Sequence, residues 1–115
     1  MRRGQVWLVD LEPVRGSEAN KRRPAVIVSN DAANSTAERL GRGVVTVVPV
    51  TSNLRHVYPF QVLLPADETG LQTDSKAVAE QVRSVDAQRL TTQVATVPAH
   101  LMADLDDALR LHLAL

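Results

Sequence analysis

Apolar residues in this chain are concentrated in six short runs rich in Val, Ile and Leu, which are separated by clusters of Gly, Pro, Asn or Asp. The runs cover residues 6–9, 25–29, 44–50, 60–64, 77–82 and 90–94. Short runs of this composition, bounded by turn residues, are typical of β-strands. Many short strands in one small chain favour an antiparallel barrel. The pattern therefore predicts a mainly β fold.

The last part of the chain has a helical period instead. Pro98 suits the first helical position, because the amide hydrogen that it lacks would have no partner there. Asp106 and Arg110 stand four residues apart and predict a surface ion pair. Apolar residues recur on one face of this helix, at Leu101, Met102, Leu105, Ala108, Leu109 and Leu113. We expect a C-terminal α-helix that packs this face on the small antiparallel β-barrel.

Length and composition narrow the class of protein. At 115 residues the chain is expected to form a single domain, residues 1–115, and a homodimer is expected because so small a core gains from a partner. Residues 31–35 predict one helical turn, and Gly41 and Gly43 indicate that residues 35–43 are mainly loop. The absence of cysteine excludes disulfides and thiolate zinc sites. Asp67, Glu68 and Asp74 do not follow a ligand spacing, so we expect no metal and no cofactor.

The chain also contains no apolar stretch of about 18 residues that could span a membrane. Its first residues do not resemble a signal peptide, since Asp10 and Glu12 interrupt the apolar region. We therefore expect a cytoplasmic protein without a membrane partner.

The formal net charge is zero, but the charges are distributed unevenly. Residues 1–60 contain nine Lys or Arg against five Asp or Glu, whereas residues 61–115 contain four against eight. Eleven of the thirteen cations are arginine, whose planar fork of donors suits phosphate and base edges. The basic first half therefore allows a nucleic-acid partner that the net charge alone would argue against.

The strongest chemical signal is the segment 16–24, which leads directly into the apolar run 25–29. It brings a carboxylate, Glu18, close to Arg23, together with the polar or cationic side chains Ser17, Asn20, Lys21 and Arg22. Arginine can bind a phosphate in a bidentate manner, so a phosphodiester is the expected ligand. Two alternatives stay open: a solvated basic turn, and a Glu18 that only pairs with Lys21 or Arg22.

A second signal follows the run 44–50. Thr51 and Ser52 place hydroxyls at the end of a predicted strand, and Arg55, His56 and Tyr58 follow in a loop. Tyr58 could stack on an unpaired base, and His56 is assigned to RNA contact, with proton transfer as the alternative. Thr51 could also do no more than cap a turn.

Polar residues also occur around the run 77–82. Gln81 could read a base edge or satisfy buried backbone groups, and Lys76 is assigned to the same RNA-binding set. The run continues into the motif Gln81-Val82-Arg83-Ser84, which follows the motifs around Arg23 and Thr51 along the chain.

These segments resemble the MazF/PemK family of toxin endoribonucleases. The resemblance rests on Gly4-Gln5-Val6-Trp7, on Gly16-Ser17-Glu18 followed by Arg23-Pro24, on Pro49-Val50-Thr51-Ser52 and on Gln81-Val82-Arg83-Ser84. It implies an SH3-like barrel of the MazF/CcdB type and a homodimeric, metal-independent endoribonuclease. That enzyme would cut single-stranded RNA at specific sequences and leave a 2′,3′-cyclic phosphate and a 5′-hydroxyl.

The resemblance also implies roles for residues and a partner. Arg23 would stabilise the transition state and act on the leaving oxygen, Thr51 would orient the scissile phosphate with support from Ser52, and Glu18 would share the proton chemistry. A cognate antitoxin with an acidic C-terminal segment would occupy the RNA groove. Two alternatives are a non-catalytic, CcdB-like toxin that inhibits a protein such as DNA gyrase, and a plain RNA-binding barrel. The intact Arg23-Pro24 and Thr51-Ser52 motifs favour the nuclease over the protein inhibitor.

Overall fold

The computed structural model describes residues 1–11 and 22–115. These residues form seven strands: β1 (Gln5–Asp10), β2 (Arg22–Ile27), β3 (Val44–Thr51), β4 (Gln61–Leu64), β5 (Ser75–Val78), β6 (Arg83–Asp86) and β7 (Leu90–Thr96). The helices are α1 (Asp31–Leu40), α2 (Ala66–Thr69) and α3 (Ala99–Leu113), and short 3-10 turns occur at Ala79–Gln81 and Ala87–Arg89.

Strand β3 is the centre of the sheet. The strands follow the order β4-β5-β3-β2-β1-β7, and every pairing is antiparallel. Strand β6 pairs with the first half of β3, and β5 pairs with its last two residues. Strands β4 and β7 end the path and do not pair with each other within the described residues, so the sheet curls without closing. The predicted fold class, a mainly β antiparallel barrel type with a C-terminal helix, is confirmed.

The predicted strand at residues 77–82 is wrong in its bounds. Residues 77 and 78 end β5, Ala79–Gln81 form a 3-10 turn, and β6 begins only at Arg83, outside the predicted run. Residues Val50 and Val47 of β3 pair with Ala77 and Arg83, and the five residues between these partners face only two residues of β3. Pro49, which has no amide hydrogen to donate to a ladder, lies in this gap. The residues that have no partner in β3 therefore form the 3-10 turn between β5 and β6.

The predicted loop at residues 35–43 is also wrong, because α1 extends to Leu40. The side chain of Asn30 accepts a hydrogen bond from the amide of Ala33 at 2.8 Å and caps the first turn. Gly41 adopts a left-handed conformation with φ 66° and ends the helix. The glycine therefore marks the C-terminus of a ten-residue helix rather than the interior of a loop.

The two faces of the sheet cover two apolar clusters. Helix α3 packs on the larger cluster with Leu101, Met102, Leu105 and Ala108, as its apolar period predicts. The prediction fails for Leu113, whose side chain is 50% exposed near the end of the helix. The smaller cluster lies under α1 and includes Val9, Leu11, Ile27 and Val45, with Trp7 packed against it.

Charged residues near the N-terminus connect β1 to both long helices. Arg3 forms an ion pair with Asp106 of α3, and its backbone amide donates to Asp31 of α1 at 2.7 Å. The hydrogen bond from Arg3 lowers the pKa of Asp31 from its ordinary value. The expected pair between Asp106 and Arg110 does not form, because Arg110 binds Asp107 at 3.0 Å instead. No helix in the described part of the chain is both long enough and apolar enough to cross a membrane.

Candidate active site

Arg23 and Thr51 come together because β2 and β3 are antiparallel neighbours. Ala25 pairs with Pro49, and extending this register by two residues places Arg23 opposite Thr51. Side chains of directly opposite residues point to the same face of an antiparallel pair. The guanidinium and the hydroxyl, which are 28 residues apart in sequence, therefore share one face at the end of the sheet.

Together with Val50, these two residues form a ridge between two cavities. The larger cavity has a volume of about 580 Å³ and the smaller about 340 Å³, and both are lined by Arg23, Val50 and Thr51. The larger is otherwise mainly apolar or weakly polar, with Leu8, Pro24, Ser52, Gly70, Leu71, Gln72, Thr73, Ser75 and Val94 in its walls. The smaller has a more polar lining, with Asn53, Gln61, Lys76 and Gln81 beside Pro49 and Val78.

The neighbouring arginines of β2 have different surroundings. Arg22 is exposed, and its Nε lies 3.3 Å from a carboxylate oxygen of Asp10 on β1. Arg23 is also exposed, lines both cavities and takes part in none of the ion pairs between described residues. Arg23 is therefore placed to meet a ligand in the cavities, whereas Arg22 is held beside Asp10.

The hydroxyl of Thr51 has a local role in the turn after β3. Its Oγ1 accepts a hydrogen bond from the amide of Asn53 at 3.2 Å, and the carboxamide oxygen of Asn53 accepts from the amide of Arg55 at 3.1 Å. The expectation that Thr51 caps a turn is therefore met, but this bond uses the oxygen only as an acceptor. The hydroxyl hydrogen of the half-buried side chain can still donate to a ligand.

The loop after the turn carries the predicted aromatic and basic contacts. Arg55, His56 and Tyr58 are exposed, and they lie outside the walls of both cavities. The ring of Tyr58 stacks on Phe60 with centroids 5.4 Å apart and an interplanar angle of 4°, and it remains 49% exposed. Phe60 therefore covers one face of the Tyr58 ring, and the stacking of a base on Tyr58 stays a prediction.

Gln81, Gln61 and Lys76 border the smaller cavity. Gln81 is exposed, so the expectation that it satisfies buried backbone is wrong. Gln61 was not expected in the site, and it is fixed by accepting from the amide of Tyr58 at 3.1 Å and donating to Glu80 at 2.7 Å. The sequence signal that could have indicated Gln61 is a polar side chain at the start of an apolar strand. Lys76, assigned to RNA contact, is buried to 7% exposure.

Four predicted site residues, Ser17, Glu18, Asn20 and Lys21, lie outside the described residues, so the expected approach of Glu18 to Arg23 keeps the status of a prediction. Within residues 1–11 and 22–115, no three His, Cys, Asp or Glu side chains are grouped as metal ligands. Arg23, Thr51, Ser52, Lys76 and Gln81 do surround the same pair of cavities.

Comparison with known proteins agrees with the sequence motifs. Residues 2–113 match the family model described as PemK-like, MazF-like toxin of type II toxin-antitoxin system. Endoribonuclease MazF9 of Mycobacterium tuberculosis is 65% identical over 115 residues, which cover 100% of this chain and 98% of that protein.

Two solved structures are similar along their whole lengths. The crystal structure of MazE-MazF (Form-II) from Deinococcus radiodurans has a TM-score of 0.81 and 31% identity, covering 100% of this chain and 96% of that one. An endoribonuclease in complex with its cognate antitoxin, from a mycobacterial species, has a TM-score of 0.76 and 25% identity, covering 100% and 96%. These matches do not favour the CcdB-like alternative. The chain belongs to the PemK-like and MazF-like family of toxins of type II toxin-antitoxin systems.

Proposed function

We propose that this chain is a toxin that cleaves single-stranded RNA at specific sequences without a metal, leaving a 2′,3′-cyclic phosphate and a 5′-hydroxyl. The observation that carries the proposal is the ridge of Arg23, Val50 and Thr51 between two cavities. A scissile phosphate on this ridge would have a guanidinium and a hydroxyl on one sheet face. The nucleotides on either side of it would enter the two cavities. The full-length identity to an endoribonuclease supports the same reaction.

Cleavage without a metal needs three groups. One must remove the proton of the ribose 2′-hydroxyl, one must stabilise charge on the phosphorus oxygens, and one must protonate the leaving 5′-oxygen. Arg23 stabilises the charge and acts on the leaving oxygen, and Thr51 orients the phosphate through its free hydroxyl hydrogen. Glu18 shares the proton chemistry. Its sequence position five residues before Arg23 supports this assignment.

Binding uses the loops around this ridge. RNA contacts are assigned to Ser17, Asn20, Lys21 and Arg22 in the segment before Arg23, and to Ser52, Arg55, His56 and Tyr58 in the segment after Thr51. Lys76 and Gln81 contact the nucleotide in the smaller cavity, where polar side chains can select a base. Because bases are read by a few side chains at these positions, the enzyme cuts specific sequences.

The partners follow from the family and from charge. The chain acts as a cytoplasmic homodimer of single-domain subunits, and RNA lies in a groove where two subunits meet. An acidic, disordered C-terminal segment of a cognate antitoxin binds the cationic loops around Arg22, Arg23 and Arg55 and excludes RNA. The similar mycobacterial endoribonuclease that forms a complex with its cognate antitoxin supports this partner.

The test is incubation of the purified protein with a mixed RNA pool in EDTA, followed by mapping of both new ends. Cuts at a recurrent sequence, with 5′-hydroxyl and 2′,3′-cyclic phosphate ends, are the expected result. The same pool with Arg23→Ala protein controls for contaminating nucleases. Activity that requires an added divalent ion, or the absence of any cut in RNA that the protein binds, would overturn the proposal.

A further inference from the structure

A second cation lies in line with Arg23 and Thr51. Thr51 pairs with Lys76 in the antiparallel register of β3 and β5. The side chains of Arg23, Thr51 and Lys76 therefore form a row on one face of three adjacent strands. Neighbouring strands are about 4.8 Å apart, so the backbone positions of the row span about 10 Å. A hydroxyl at the centre has a cation on each side.

Lys76 differs from the exposed arginines in its burial. Lys76 is 7% exposed, although lysine is one of the residues least often buried. The ammonium donates to the backbone carbonyl of His56, in the loop between β3 and β4. It forms no ion pair with any residue of the described ranges. An ammonium has three donors, and two of them have no hydrogen-bond partner among the described residues once the bond to His56 is counted.

The location of Lys76 suggests what those donors bind. The side chain lines the smaller cavity together with Arg23 and Thr51, on the side away from the larger cavity. A buried charge is costly unless an opposite charge accompanies it, and the carbonyl of His56 supplies only a hydrogen-bond acceptor. An anion that bridges from the ridge into the smaller cavity would accompany both cations. In a bound RNA, the only anions are the phosphates.

We propose that the ammonium of Lys76 binds a phosphate of the RNA backbone at the cleavage site, and so completes a phosphate site whose other cation is Arg23. This inference rests on the proposed endoribonuclease function. The bond to His56 holds the ammonium in place before RNA arrives. Lys76 is thus a substrate-binding residue as well as a link between β5 and the loop that carries Tyr58.

The experiment uses a target RNA mapped with the wild-type enzyme, made non-cleavable by a 2′-deoxy group at the cut nucleotide. An uncharged methylphosphonate replaces the scissile linkage and each adjacent linkage in turn. Affinities are measured for wild-type protein and for Lys76→Met. The variant is expected to bind the fully charged RNA about tenfold more weakly, as for loss of a hydrogen bond to a charged group. At one methylphosphonate position this loss should disappear, because the partner charge is already missing.

Two further variants separate this role from a purely structural one. Lys76→Gln keeps a donor for the His56 carbonyl but no charge. Its loss of affinity should disappear at the same methylphosphonate position as for Lys76→Met, and this result can be obtained even if Lys76→Met folds poorly. Arg42→Met removes a cation in the turn between α1 and β3, outside both cavities, and should show no coupling. The slope of log affinity against log salt should fall by about 0.7 for both Lys76 variants.

If the Lys76 variants lost the same affinity for the unmodified RNA and for every methylphosphonate RNA, the inference would be overturned and Lys76 would be a structural link only. Unchanged affinity in both Lys76 variants would overturn it as well. Failure of the proposed function would look different, because the wild-type enzyme would then yield no cleavage site to map.

Discussion

Replacing Arg23 separates catalysis from folding. The side chain is exposed on β2, and its backbone remains paired with Val9 of β1 whatever the side chain is. Exposed substitutions of this kind change stability by no more than about 0.5 kcal/mol. Loss of one preorganised donor to a transition-state oxyanion, by contrast, lowers kcat about 100-fold to 1,000-fold, equivalent to about 2.7–4 kcal/mol. Arg23→Ala should therefore be folded and nearly inactive.

The assay is single-turnover cleavage of a short RNA that contains the mapped site, at protein concentrations that saturate binding. Arg23→Lys should recover part of the rate, because it keeps the charge but not the planar fork of donors. Arg22→Ala is the matched comparison, since Arg22 is the adjacent exposed arginine and is held by Asp10. It should weaken RNA binding and leave the saturated rate within about threefold of wild type.

Thermal unfolding and circular dichroism would be used to test whether each variant is folded. If folded Arg23→Ala protein cleaved saturating RNA within about tenfold of the wild-type rate, Arg23 could not be the main stabiliser of the transition state. Equal effects of Arg22→Ala and Arg23→Ala on the saturated rate would show that only the total charge of β2 matters. Either result would refute the assignment of the ridge as the catalytic site.

Other expected outcomes concern the hydroxyl, the core, acid stability and inhibition. Thr51→Val should lower the saturated cleavage rate much more than RNA affinity, and Thr51→Ser should retain activity; a loss confined to affinity would remove Thr51 from the reacting atoms. Leu105→Ala should lower the free energy of unfolding in urea by about 2–5 kcal/mol, because Leu105 is fully buried on the face of α3 that packs on the sheet; a change below about 1 kcal/mol would contradict that packing. The lowered pKa of Asp31 means that its ionised form favours the folded state, so its contribution is present above the ordinary carboxylate pKa of about 3.9 and is lost as pH falls through the lowered value. Asp31→Asn should accordingly lose more stability at pH 7 than at pH 3, and an equal loss at both would rule out the charge as the cause. A peptide from the acidic half of the antitoxin should displace RNA competitively; tight peptide binding with RNA affinity unchanged would place inhibition at a distant surface.

Much of this protein could be predicted from local sequence. Helix α3 follows from the spacing of its apolar residues, and most strands follow from short branched runs, because both patterns depend on residues close together in the chain. The motifs around Arg23 and Thr51 indicated the family and the reaction, since their residue types at strand ends suit a phosphodiester.

Other features depend on contacts between distant segments. The predicted strand at 77–82 is mainly a turn because residues 78–82 face only two residues of β3, and α1 is held in place because Ala37 packs into the smaller apolar cluster. The cap at Asn30, by contrast, is a local feature of the sequence. Asp106 pairs with Arg3, which is 103 residues away in sequence, rather than with a neighbour on its own helix. No local pattern contains such pairings.

The site shows the same division. Its residue types were visible in the sequence, but the row of Arg23, Thr51 and Lys76 exists only because β2, β3 and β5 pair in one register. The burial of Lys76 and the two cavities beside Thr51 likewise arise from how three strands and two loops meet. Sequence thus determined which chemical groups are present, and the tertiary structure decided which of them face one another, because strand pairing joins residues that are far apart along the chain.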